Sequence, residues 1–240
     1  TSASIYLKEG AQNNPFIGAG ASGIVIDDYN GLNFDHREGN FVGGAYISVT
    51  NTGGRPIGQT GTAPGTPKWG KGWKEGKQEG YQRSISISAE GSVMSYKNAY
   101  IDLDPTYKDA WGVPLARMTF DWHDNEYRQG DYIAKQLERI CDAMEGVESY
   151  SISKTEGNWD TREYQSTHIT GGAITGDSPT NSVVNKYLQS WDVPNLFVYG
   201  ACAFPQNMSY NPTGLIGALT YFSVKEIKDR YLANPGPLVK

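Results

Sequence analysis

The stretch NLFVYGACAFP (Asn195–Pro205), followed closely by SYNPTG (Ser209–Gly214), decides the architecture of the last third of the chain. Leu196–Tyr199 is a short continuous apolar run, which is typical of a strand buried on both faces, and small residues follow it. Pro212 suits the start of a helix, because the N–H groups of a first helical turn have no intrahelical acceptor. We therefore predict a buried strand at Leu196–Tyr199 and, after a turn, a helix from near Thr213.

The sequence before this stretch predicts several strands and one long helix. Between Asp124 and Met144 the apolar residues recur every three to four positions and Gly146 follows, which indicates an amphipathic helix near 125–145. Alternating or β-branched runs predict strands at Phe41–Thr50, Ser84–Ser88, Ala99–Leu103 and Leu115–Trp122. This order of elements indicates an α+β or mixed α/β fold.

The composition argues against several classes of protein. Lysine and arginine total 21 against 26 aspartates and glutamates, and this net charge of −5 does not suit a protein that neutralises nucleic-acid phosphates. Two cysteines and three histidines are too few for a disulfide scaffold or a histidine-rich centre, so we predict no metal site. No apolar run approaches the ~20 residues of a membrane helix, so we predict no membrane span. The 29 glycines and 16 tyrosines are typical of a turn-rich protein whose surfaces suit a sugar-like ligand.

A glycine- and proline-rich stretch over residues 53–83 has no hydrophobic period, so we predict a loop there. It is locally basic in an acidic chain, with Lys68, Lys71, Lys74 and Lys77 as its regularly spaced cations. Two interpretations stay open. The stretch is either a solvated surface loop or, as long irregular loops often are, a docking surface or lid.

Gly18–Gly23 matches the dinucleotide-binding pattern G-x-G-x-x-G, but its context does not. That pattern works between a strand and a helix, with an acidic residue about 20 positions further on. Here Asn14-Pro15 precedes the glycines, and the β-branched run Ile24–Ile26 follows them. We therefore interpret Gly18–Gly23 as a glycine-rich turn.

Several segments resemble the glucose–methanol–choline (GMC) family of FAD-dependent oxidoreductases. The resemblance is closest to the branch of gluconate and fructose dehydrogenase flavoprotein subunits, and pyranose oxidase is more distant. The most specific segments are Ser182–Val198, Ala203–Asn207 and Tyr210–Gly214, and similar segments occur earlier at Asn14–Ala21, Asp28–His36 and Asn51–Ile57.

The resemblance implies an α+β fold with two parts. Residues 1–165 would form an antiparallel-sheet substrate-binding domain, and residues 166–240 would add a strand and a helix to a Rossmann-like FAD domain and carry the active site. The family's opening strand, glycine turn and helix, which hold the FAD diphosphate, do not occur in this sequence. The chain also begins without Met. We therefore expect a C-terminal portion that does not hold FAD alone and is completed by an N-terminal segment or chain.

The resemblance also implies a function, the FAD-dependent oxidation of an alcohol group of a sugar, sugar acid or polyol by hydride transfer to flavin N5. His168 matches the family's catalytic base, and Asn211 would orient the reacting hydroxyl. Gly200 and Ala201 would approach the cofactor through their backbone, and Pro212 and Thr213 would present a helix N-terminus to it. A haem subunit as electron acceptor and a periplasmic location are further implications.

Two alternatives to this dehydrogenase stay open. One is a sugar or glycoside oxidase of pyranose-oxidase type that uses oxygen. The other is a non-catalytic carbohydrate-binding module or structural fragment, because glycine- and tyrosine-rich sheets also suit sugar binding without chemistry.

Overall fold

A computed structural model describes residues 1–11, 13, 23–51, 61–162 and 168–239. The chain divides into two compact units, of which the first comprises Thr1–Gly91 and Asp124–Glu156 and the second comprises Ser92–His123 and Gly157–Lys240. These bounds do not coincide with the predicted boundary at residue 165, since residues 92–123 group with the C-terminal segment. The substrate-binding and FAD-domain roles given to the two predicted parts remain predictions.

The described residues form strands, helices and short helical turns. The strands are β1 (Ser2–Leu7), β2 (Gly23–Ile26), β3 (Ala45–Asn51), β4 (Ser84–Gly91), β5 (Tyr100–Lys108), β6 (Pro114–Thr119) and β7 (Val147–Ser153). The helices are α1 (Gly70–Arg83), α2 (Asp124–Ala143) and α3 (Thr213–Glu226), with a 3₁₀ turn at Ala201–Ala203 and a π turn at Ile227–Tyr231. Antiparallel sheets with few helices agree with the predicted α+β class. The Rossmann-like part remains a prediction.

The first unit is an antiparallel sheet in the order β2-β3-β4-β1-β7, covered by α2. The predicted amphipathic helix is confirmed, because the apolar face of α2 buries Ile133, Leu137 and Cys141 against the sheet. From the sheet, Ile5 and Ile87 meet this face, and both are buried. Asp124 and Glu126 lie in the first turn of α2, where the helix dipole favours negative charge.

Helix α1 corrects the predicted loop over 53–83, although residues 53–60 of that stretch lie outside the described part of the chain. Gly72, Gly76 and Gly80 recur every four residues and so share one face of the helix. A Cβ on Gly76 would lie 2.5 Å from Cγ2 of Thr66, and one on Gly80 would lie 2.1 Å from the carbonyl oxygen of Gly61. The glycines therefore let the preceding segment pack directly on the helix, which a count of apolar residues does not reveal.

The second unit contains the β5–β6 hairpin, helix α3 and a small apolar cluster of Val184, Leu188 and Ala203. The predicted buried strand at Leu196–Tyr199 is wrong. Its only ladder contact among the described residues is an isolated bridge between Gln189 and Phe197, and both ends of the run are exposed. The chain turns just before the run, where the carbonyl of Val193 accepts a hydrogen bond from the amide of Leu196. In the part of the chain that the structure describes, no helix has the length and apolar character needed to cross a membrane.

Candidate functional site

His168 is half-buried and precedes two glycines in left-handed backbone conformations. Gly171 has φ +86° and Gly172 has φ +105°, a region that side chains disfavour. The chain then runs beside the 3₁₀ turn. The amide of Gly171 donates to the carbonyl of Ala201 at 3.0 Å, and that of Ala173 donates to the carbonyl of Cys202 at 2.9 Å. The segment after His168 is therefore bound directly to the segment that carries Gly200 and Ala201.

Gly200 has a backbone conformation that is almost exclusive to glycine, with φ 116° and ψ −175°. A Cβ there would meet only Sγ of Cys202, at 3.8 Å, so conformation and not space requires the glycine. Cys202 is half-exposed, and its thiol lies 3.5 Å from the carbonyl of Tyr199.

Asn207 joins the His168 segment to the loop that leads to Asn211. Its Nδ2 donates to the backbone carbonyl of His168 at 2.7 Å, and its Oδ1 accepts from the amide of Ser209 at 3.1 Å. Its backbone makes two hydrogen bonds with Val93, at 2.9 and 3.1 Å. In the sequence, Asn207 ends the family-like segment Ala203–Asn207 and begins the glycosylation sequon Asn-Met-Ser, and neither feature indicates the contact with His168.

Asn211, Pro212 and Thr213 lie at the N-terminus of α3. Asn211 is exposed, Pro212 precedes the helix, and no side chain caps the helix start. The amide of Ile216 bonds the carbonyl of Pro212 at 3.0 Å, whereas the amides of a first helical turn have no intrahelical acceptor. This end of α3 therefore offers N–H donors and a partial positive charge to an electron-rich group.

The predicted site residues thus lie in three segments of the second unit, at His168, at Gly200 and Ala201, and at Asn211–Thr213. The His168 segment is bonded to Ala201 on one side and to Asn207 on the other. The roles predicted for these residues remain predictions. The Asx turn at Asn207 could be predicted from the sequence, because the side-chain oxygen of Asn often accepts a hydrogen bond from the backbone amide two residues further on. Its bond to His168, 39 residues away, was not readable from spacing.

The other two histidines lie in different surroundings. His36 lies in the first unit, with Nδ1 3.0 Å from the carbonyl of Phe41 and Nε2 2.6 Å from that of Gly31. His123 stacks on Tyr96, with ring centroids 3.7 Å apart. Within the described ranges, no three His, Cys, Asp or Glu side chains are grouped so that they could hold a metal ion.

The four lysines of the basic stretch lie on α1 or just before it. Lys68, Lys71 and Lys74 are exposed, and Nζ of Lys71 is 3.5 Å from a carboxylate oxygen of Glu75. Nζ of Lys77 lies 5.8 Å from the ring centroid of Trp73. Because helical residues three apart are neighbours, Lys71 and Lys74 form part of one exposed stripe.

Comparison with known proteins adds a family and three relatives. A family model described as GMC oxidoreductase matches residues 95–220. The chain is 50% identical over 228 residues to the gluconate 2-dehydrogenase flavoprotein of Pantoea cypripedii. The matched region covers 95% of this chain and 37% of that protein. It is 27% identical over 215 residues to the 2-methyl-1,2-propanediol dehydrogenase of Mycolicibacterium austroafricanum, covering 88% of the chain and 37% of the relative. It is 30% identical over 136 residues to the fructose dehydrogenase large subunit of Gluconobacter japonicus, covering 57% and 24%. The chain therefore spans 37% of the length of the first two relatives and 24% of the third.

Proposed function

This chain belongs to the GMC oxidoreductase family, and from that premise we propose that it serves a flavin-dependent dehydrogenase that oxidises an alcohol group of a sugar, sugar acid or polyol. The names of the three relatives support this class of substrate, and the 50% identity to a gluconate 2-dehydrogenase favours a sugar acid. The structural observation that carries the proposal is the hydrogen bond from Asn207 to the carbonyl of His168, which binds the candidate base to the loop of Asn211.

The residues of the site fit a flavin. The N-terminus of α3, which Pro212 precedes and Thr213 begins, would present the backbone amides of its first turn and a positive dipole to the electron-rich edge of the ring. A Cβ on Gly214 would meet no atom within 4 Å, so the start of the helix is sterically open. Gly200 and Ala201 would contact the cofactor through their backbone. When bound, FAD would accept the hydride that leaves the alcohol carbon.

His168 would take the proton of the reacting hydroxyl on an imidazole nitrogen. A neutral imidazole suits this role at physiological pH, because histidine gains and loses its proton in that range. The backbone of His168 is held by Asn207, and the residues after it are held by the 3₁₀ turn. This anchoring limits the positions open to the ring and so favours a constant distance to the hydroxyl.

Asn211 would orient the same hydroxyl. Its amide both donates and accepts hydrogen bonds but does not titrate, so it positions the proton without removing it. Asn211 lies immediately before Pro212, at the start of α3, and the positive N-terminal end of the α3 dipole would face the flavin. The base and the orienting group therefore come from different segments, as the proposal requires.

A spectroscopic experiment on the full-length protein tests the proposal. The purified protein is mixed without oxygen with gluconate, fructose or 2-methyl-1,2-propanediol, and the visible absorbance of oxidised flavin is followed. We expect a flavin spectrum that gluconate bleaches fastest. A colourless protein, or a flavin that no alcohol substrate bleaches, would contradict the proposal. Hydrogen peroxide formed in air at the rate of turnover would favour the oxidase alternative.

A further inference from the structure

We propose that Asn207 is a positioning residue, which holds His168 in the place from which it acts as the base. This inference rests on the proposed function, because it assigns the base to His168. The inference goes beyond the proposed function because it gives a role to Asn207, for which the sequence predicts no part in the chemistry.

The first support is that both polar atoms of the Asn207 side chain are used. Nδ2 donates to the carbonyl of His168, and Oδ1 accepts from the amide of Ser209. The first bond spans 39 residues of chain and is short, at 2.7 Å, whereas the second closes a local turn. One side chain therefore fixes the distance between the His168 backbone and the turn that leads to Asn211.

The second support is that Asn207 is itself firmly placed. Its amide and carbonyl form a reciprocal pair of hydrogen bonds with Val93, which holds its backbone without help from its side chain. Two residues later, Ser209 is almost fully buried, with φ +64°, an uncommon conformation for a residue that is not glycine. The Asx bond from Asn207 supports this conformation, so the direction of the chain into Asn211 depends on the same side chain.

The chemistry explains why the hydrogen bond from Asn207 to His168 matters for the rate. Proton transfer requires the base within hydrogen-bond reach of the hydroxyl, and a displacement of about 1 Å is sufficient to cost about 100-fold in rate. Gly171 and Gly172 follow His168 three and four residues later, and as glycines they allow the most backbone freedom when the bond to His168 is lost. Without Asn207, the backbone of His168 would therefore lose a long-range hydrogen bond that fixes its position.

Two variants of Asn207 separate its two bonds. Asn207→Asp keeps the acceptor for Ser209 and loses the donor to His168, whereas Asn207→Ala loses both. The backbone pairing with Val93 remains in each. Asn195→Asp makes the same chemical change at an exposed position of the same unit, and it serves as the control. If Asn207→Ala does not yield folded protein, Asn207→Asp and Asn207→Ser carry the test.

The experiment measures the rate of flavin bleaching by saturating substrate in the full-length enzyme, per bound flavin, together with the melting temperature. We expect Asn207→Asp and Asn207→Ala to slow bleaching by about 10- to 100-fold, with unchanged flavin content and no such effect in Asn195→Asp. In a His168→Ala background, we expect no further loss from Asn207→Asp, because both changes act on one group. The inference would be overturned if the losses of bleaching rate multiplied in the variant that combines His168→Ala with Asn207→Asp. An unchanged bleaching rate in Asn207→Asp and Asn207→Ala would also overturn it. No effect of His168→Ala alone would instead remove the base from the proposed function.

Discussion

Single residues in this chain are specified by backbone conformation as much as by chemistry. Gly200 shows this clearly, since its φ of 116° and ψ of −175° belong to a region that only glycine enters readily. The resemblance implies a backbone contact of Gly200 with the cofactor, which remains a prediction, and does not give this physical reason for a glycine. The conformation turns the chain into the 3₁₀ segment to which the residues after His168 are bonded.

Gly200→Ala should therefore destabilise the protein although there is room for the new methyl group. Its Cβ would meet only Sγ of Cys202, so the cost is backbone strain of about 1–3 kcal/mol. Gly217→Ala is the matched control, because it adds a Cβ inside α3 where no atom lies within 4 Å and should stabilise by about 0.5–1 kcal/mol. Chemical denaturation of both variants gives the comparison, and equal shifts of their midpoints would refute the conformational argument.

At the level of elements, α1 depends on the absence of side chains along one face. Gly80→Ala would place a Cβ 2.1 Å from the carbonyl oxygen of Gly61, a backbone atom that cannot rotate away. We expect the variant to unfold more easily by about 1–3 kcal/mol, although alanine is the better helix former. Gln78→Ala, at an exposed position of the same helix, should leave the unfolding midpoint nearly unchanged. Similar midpoints for Gly80→Ala and the wild type would mean that the packing of residues 61–67 on α1 is not close.

The elements also indicate how much the sequence could predict. Helix α2 was predictable because one apolar face repeats along its whole length and meets the sheet. Helix α1 was missed because its contact face consists of glycines, which sequence patterns assign to turns. Leu196–Tyr199 was assigned wrongly because a run of four apolar residues has no period, so it cannot distinguish a strand from a turn packed on its neighbours. The candidate base and Asn211 came from family resemblance, whereas the role of Asn207 required the distance to His168.

At the level of the whole molecule, Lys68, just before α1, and Lys71 and Lys74, on α1, form an exposed basic group. We propose that Lys68, Lys71 and Lys74 steer an acidic electron-acceptor subunit, because basic residues gathered in a chain of net charge −5 favour a partner of opposite charge. Changing all three to Glu should slow acceptor-dependent turnover and reduce its sensitivity to salt, while bleaching of the flavin by substrate stays unchanged. Lys8→Glu, another exposed lysine of the first unit, is the control. The proposal would be refuted if the rate of turnover with the natural acceptor changed neither with ionic strength nor with the three substitutions.

The central claim is that His168 takes the substrate proton, and anaerobic stopped-flow mixing of the full-length His168→Ala enzyme with gluconate tests it most directly. We expect flavin to stay bound and its bleaching to slow by about 10²–10⁴-fold, since a general base contributes that much. The control is His123→Phe, which keeps the ring stacked on Tyr96 but removes the imidazole, and it should bleach at the wild-type rate. Bleaching of His168→Ala at the wild-type rate, or a loss in His123→Phe as large as that in His168→Ala, would contradict the account.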